Sequence, residues 1–138
     1  MSRRQERIIA LLALYQWDIT GGDLTAILER ALAEAGVGRA DGFSAELVAG
    51  IARHKQELDD HVTRLAVDWR VERMAVIDRN ILRLAAYEII HRHDVPVSVA
   101  INEAVELAKT FSTPEAARFI NGILGQLARE QRDPAPRV

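Results

Sequence analysis

The sequence predicts an all-α protein of about six or seven helices, and three observations carry the prediction. Ala, Leu, Ile, Glu and Arg dominate the 138 residues while aromatics supply only 5%, a mixture that favours helix over strand. Apolar residues recur at helical spacing, most plainly at Ile101, Ala104, Val105 and Ala108, which fall at i, i+3, i+4 and i+7. Start and stop signals bracket these stretches, as where Thr113 precedes Pro114 at the head of the last helix. No stretch reads as a convincing strand and no solenoid period repeats.

The first helix is expected from about Arg3 to Trp17. Residues 8–15 are apolar nearly all round, which predicts burial. Its opening turn differs: Arg3, Arg4 and Arg7 fall within an arc of about 100°, so three guanidinium groups are expected to leave one side of the helix. Positive charge at a helix N-terminus opposes the macrodipole by a few tenths of a kcal/mol per charge, on the order of what Glu6 offsets only in part. An external anion would remove that cost.

A turn follows at Thr20-Gly21-Gly22-Asp23, with Asp23 as N-cap of a second helix whose stripe is Leu24, Ile27, Leu28, Ala31 and Leu32, ended by Gly36. Residues 37–42 read as a loop. A third helix begins near Phe43, with Phe43, Leu47, Val48 and Ile51 on one side, and either continues to Ala66 or bends near Glu57. Residues 69–73 read as a connector, with Trp69 as a core plug. From Met74 to about His91, Ile77, Ile81, Leu84 and Ala85 form a stripe, and Arg79, Asn80 and Arg83 are expected to turn away. Glu88 falls in the stripe, where a lone carboxylate would be costly, so it must be paired, hydrogen-bonded or at an edge.

Pro96 and a capping Ser98 open the next helix. Asn102, Glu103, Glu106 and Lys109 lie opposite its apolar face, with Glu106 and Lys109 spaced for a weak ion pair. The last helix is expected from Pro114 to about Arg129, with Ala116, Phe119, Ile120, Ile123, Leu124 and Leu127 inward. Gly122 and Gly125 predict a close neighbouring backbone. Residues 133–138 read as a frayed, flexible tail, leaving residues 1–132 as one domain.

Several function classes are disfavoured. The chain has no cysteine, which removes disulfides, thiol nucleophiles and thiolate metal sites. No apolar run approaches the roughly 18 residues of a membrane span, and no cleavage-site pattern follows the charged N-terminus, so a cytoplasmic protein without a membrane is expected. Net charge is only −2, so any basic surface must be local. His54 and His61, like His91 and His93, lack the helical spacing of a zinc motif, and no phosphate loop or dinucleotide fingerprint is present. Glu88, Glu103 and Glu106 have no nucleophile or oxyanion donor beside them in the sequence. Neither an enzyme nor a cofactor or metal is expected. The arginine cluster remains: guanidinium groups suit phosphate oxygens, and single-stranded RNA adds bases that stack on aromatics.

Taken together, Arg3-Arg4 and Arg7 leading into residues 13–17, the run Ile77-Asp78-Arg79-Asn80-Ile81-Leu82-Arg83-Leu84, the stretch 94–109 and Phe119-Ile120-Asn121-Gly122-Ile123-Leu124 resemble the NusB family of bacterial transcription antitermination factors. The resemblance covers nearly the whole chain. It implies two packed helical bundles, binding to the boxA element of ribosomal RNA leader transcripts together with NusE, a ribosomal small-subunit protein, and assembly of an antitermination complex on RNA polymerase. By the same resemblance Arg3, Arg4, Arg7, Tyr15, Glu115, Arg118 and Phe119 fall on the RNA surface, and Glu72, Asp78 and Arg79 on the NusE surface. A homodimer of the free chain stays open. Gln5 and Glu6 interrupt the arginine run, and Gly125 stands where an acidic residue is usual, which favours an RNA site shared with NusE. The alternatives are a helical adaptor that binds only protein and the detached helical module of a ribosomal RNA cytosine methyltransferase.

Overall fold

The computed structural model describes residues 1–37, 42–67 and 69–132, so the tail and most of the loop at 37–42 lie outside the described residues. It is all-helical there: α1 (Arg3–Thr20), α2 (Leu24–Glu34), α3 (Phe43–Arg53), α4 (Lys55–Leu65), a 3₁₀ turn (Val71–Arg73), α5 (Val76–His91), α6 (Val97–Phe111) and α7 (Pro114–Arg132). The chain divides into two compact units, Met1–Arg53 and His54–Val138.

In the first unit α1 packs on both α2 and α3. Ser2 and Gln5 form a capping box that opens α1, so two of its orphan amides are satisfied reciprocally. One face of α1 is buried through Ile9, Ala10, Leu11, Ala13 and Leu14, while Leu12 and Tyr15 are exposed, so burial is less complete than the apolar run predicts. Asp23 caps α2 through a 3.0 Å bond from the Thr25 amide. The α3 N-terminus is capped from a distance: Glu6 Oε1 accepts the Ser44 amide at 3.1 Å. Gly42 makes this approach feasible, with φ of +90° and a position where a Cβ would sit 3.3 Å from that oxygen.

In the second unit α5 is central, packed against α4, α6 and α7. Ile81, Leu82, Leu84, Ala85, Ala86 and Ile89 are all buried, so α5 is covered on more than one side. That changes the fate of its polar residues. Asn80 and Arg83 are buried rather than turned away. Arg83 meets Asp59 of α4 in a two-pronged pair, Nε to Oδ1 at 2.7 Å and Nη2 to Oδ2 at 3.0 Å. Its Nη1 donates to Asn80 Oδ1, and Asn80 Nδ2 donates to the Val76 carbonyl at 2.8 Å. Glu88 is buried as the stripe required, and it does not lack a partner.

The choice left open for the third helix resolves to a break, at His54 between α3 and α4. Three further expectations change. Trp69 is 49% exposed and plugs no core. Ser98 makes no cap because α6 begins at Val97 with Pro96 before it. At Gly122 nothing lies within 4 Å of a built Cβ, and at Gly125 only the flexible Arg129 tip does, so no backbone approaches either. The corner before α7 forms as read, with Thr113 Oγ1 accepting the Ala116 amide at 3.0 Å ahead of Pro114. The weak pair of Glu106 and Lys109 is present at 3.5 Å.

Candidate nucleic-acid and partner interface

The opening turn of α1 gathers positive charge over one ring. The Arg3 guanidinium lies 4.2 Å from the centroid of Phe43 and that of Arg7 lies 5.1 Å from it, distances at which the ring quadrupole attracts each cation. The two arginines have different surroundings. Arg3 and Arg4 are exposed, whereas Arg7 is only 3% exposed. The expectation of three guanidinium groups leaving one side is therefore corrected to two, with Arg7 behind them because α3 supplies Phe43 to that side of α1. Tyr15, three turns on, is exposed.

In the second unit, Glu115 occupies the first turn of α7, where an acid complements the helix dipole. Arg118 and Phe119 follow on the same helix and both are exposed. Phe119 was expected inward; instead Ala117 takes the buried position, and the ring stays at the surface. Two depressions flank this point. A groove of about 650 Å³ between α6 and α7 is lined by the apolar Ile101, Val105 and Ala117 together with Lys109 and Arg118. A second of about 540 Å³ runs from Arg64 and Val67 past Phe119 to Gln126. Sequence reading missed Arg64 and Lys109 as neighbours of Arg118, because their proximity depends on how α4, α6 and α7 pack, and passed over Asn121, which lies at i, i+3 on the same helix.

The three residues expected to face a protein partner lie around the start of α5. Asp78 is half-buried in its first turn, where a carboxylate is favoured, and its Oδ1 is buried with no hydrogen-bond partner among the described residues. Arg79 reaches back toward the Glu72 carbonyl at 3.5 Å, which brings Arg79 and the 3₁₀ turn together. Glu72 is exposed.

The first unit presents a cationic helix start, and the second an exposed aromatic beside an arginine and a mixed-charge corner, the surface chemistry of a helical binding protein. The NusB family model matches residues 4–129. The transcription antitermination protein NusB of Symbiobacterium thermophilum is 49% identical, over 98% of this chain and 94% of its own length. The crystal structure of T. maritima NusB is 36% identical and superposes with a TM-score of 0.88, covering 95% of this chain and 93% of that one. A structure of antitermination factors NusB and NusE in complex with dsRNA contains a chain 26% identical, with a TM-score of 0.82 over 94% of this chain and 98% of that one. The chain belongs to the NusB family, and its relatives there are transcription antitermination proteins. No helix among the described residues is long and apolar enough to cross a membrane.

Proposed function

We propose that this chain binds the boxA element of ribosomal RNA leader transcripts together with NusE and helps assemble an antitermination complex on RNA polymerase in the cytoplasm. The observation that carries the reading is the kinship with NusB proteins, one of which is solved with NusE and RNA, joined to residues of suitable chemistry at the expected positions. Arg3 and Arg4 contact phosphates, with Arg7 holding Phe43 and thereby Arg3 in place. Phe119 stacks on a base while Arg118 supplies charge beside it, and Tyr15 offers a second aromatic platform. Glu115 moderates RNA affinity, since its charge repels phosphate even as it favours the helix. Glu72, Asp78 and Arg79 receive NusE at the start of α5. The low net charge and the interrupted arginine run make RNA binding weak without NusE, and self-association of the free chain is the competing state.

The test is titration of labelled boxA RNA, and of the same RNA with its bases scrambled, with the purified chain alone and with NusE. The proposal expects tight, sequence-selective binding only when NusE is present. Binding of NusE with no RNA selectivity would leave a protein adaptor instead. Transfer of methyl groups to RNA from a methyl donor would point to the methyltransferase module.

A further inference from the structure

We propose that His54, Glu57 and His91 form a binding site for a divalent transition-metal ion of the zinc class, with His54 Nδ1, one Glu57 carboxylate oxygen and His91 Nε2 as ligands and a fourth position open to water. The three residues converge although His91 stands far along the chain. His54 is the residue that separates α3 from α4, and it makes no side-chain cap to the helix it precedes. Glu57 lies in the first turn of α4, and His91 is the last residue of α5.

Glu57 Oε1 is 3.1 Å from His54 Nδ1 and 2.9 Å from His91 Nε2, and the three donor atoms all lie within 4.8 Å of one another. A tetrahedral ion with metal–ligand bonds near 2.0–2.1 Å holds its ligand atoms roughly 3.3 Å apart. Glu57 Oε1 therefore needs to part from each imidazole nitrogen by only a few tenths of an ångström, and the two nitrogens, no more than 4.8 Å apart, need to close by at most about 1.5 Å, to admit the ion.

The surroundings suit this use. The side chains are 33%, 40% and 27% exposed for His54, Glu57 and His91, which leaves a path for an ion and room for a water ligand. The two imidazoles stack at 4.1 Å with 23° between their planes, and Tyr87 lies 5.3 Å from the His91 ring, so neighbouring rings restrict the histidines. Two imidazoles and one carboxylate select zinc, cobalt, nickel or copper over magnesium or calcium, which prefer all-oxygen sets. A bound ion would staple the start of α4 to the end of α5. The sequence hid the site because its third ligand comes from another helix, 34 residues beyond Glu57, and the i, i+3 pair of His54 and Glu57 alone makes no zinc signature.

The full chain is titrated with Zn²⁺ by calorimetry and with Co²⁺ as a spectroscopic probe, in parallel with Mg²⁺. The expected result is a single saturable Zn²⁺ site per chain, a visible Co²⁺ spectrum of the tetrahedral type and no competition from Mg²⁺. His54→Ala, Glu57→Gln and His91→Ala each weaken Zn²⁺ binding at least about tenfold, while His93→Ala, whose ring faces the Ile90 carbonyl, leaves it unchanged. Imidazole ¹⁵N shifts of the unaltered chain are read in the same titration, so the result does not depend on the variants folding: His54 Nδ1 and His91 Nε2 should move together. Absence of saturable binding, equal binding to the His91→Ala variant, or shifts confined to His61 or His93 overturns the proposal.

Discussion

Replacing Asp59 with alanine removes the carboxylate from a guanidinium that folding has already taken out of water. Arg83 is 5% exposed at its side chain and spends two of its donors on Asp59, at 2.7 and 3.0 Å. Breaking a buried pair by deleting one member costs about 3–5 kcal/mol, chiefly because the surviving charge is stranded. Asp59 is 18% exposed and also neighbours Lys55 at 3.6 Å, so water partly replaces it and the expected loss is at the lower end, about 3 kcal/mol. Combining Asp59→Ala with Arg83→Met, which fills the same space without a charge, recovers most of that loss, because buried pairs exchange for hydrophobes at little cost. Equilibrium unfolding in urea measures both. A loss below about 1 kcal/mol for Asp59→Ala, the range of an exposed pair, or a double variant no more stable than the single one, would refute the reasoning.

Other consequences are as specific. Gly42→Ala forces a side chain into φ of +90° against Glu6 and should destabilise the first unit by about 1–2 kcal/mol, whereas Glu6→Ala, which removes the cap on Ser44, should cost about 1 kcal/mol; thermal unfolding reads both. The Glu130 carboxyl is held below its ordinary value of 4.5 by its hydrogen bonds with Arg64. A lowered carboxylate stabilises the fold above the unfolded-state value and loses that contribution as pH falls through the folded one. Glu130→Gln should therefore flatten the acid side of the stability profile below about pH 4.5, by no more than about 1 kcal/mol for so exposed a pair. Asp78→Lys should weaken NusE capture at least about tenfold, and should also lower the unfolding midpoint because it sets a cation in the first turn of α5, so binding is measured well below that midpoint; an unaltered NusE isotherm would move that surface elsewhere.

Signals of short range survived translation from sequence to structure. Asp23 and Thr113 cap the helices they precede because a cap depends on three or four residues in a row, whereas the apolar face of α6 forms only in part: Ala104 and Ala108 are buried with Ala100 and Leu107, while Ile101 and Val105 line a groove. What failed depended on partners distant in the chain. Arg83 reads as a surface residue until α4 brings Asp59 to it, and Arg7 reads as exposed until α3 places Phe43 beside it. Helical period turns Phe119 inward while the family resemblance places it on a surface, and hydrophobicity turns Trp69 inward; both are exposed, as single apolar residues commonly are. Of the candidate site, the residue types and their helices were legible. The grooves beside Arg118 and the convergence of His54, Glu57 and His91 were not, since each is made by side chains from different helices.

The central claim is tested most directly by the salt dependence of boxA RNA binding to the complex with NusE, measured by fluorescence anisotropy for the unaltered chain and for Arg3→Ala, Arg4→Ala and Phe119→Ala. Phosphate contacts from α1 predict that each arginine variant lowers the slope of log affinity against log salt by about 0.7. Phe119→Ala should instead weaken binding by about 1–3 kcal/mol at every salt concentration with the slope intact. Identical isotherms for all four proteins would contradict the account.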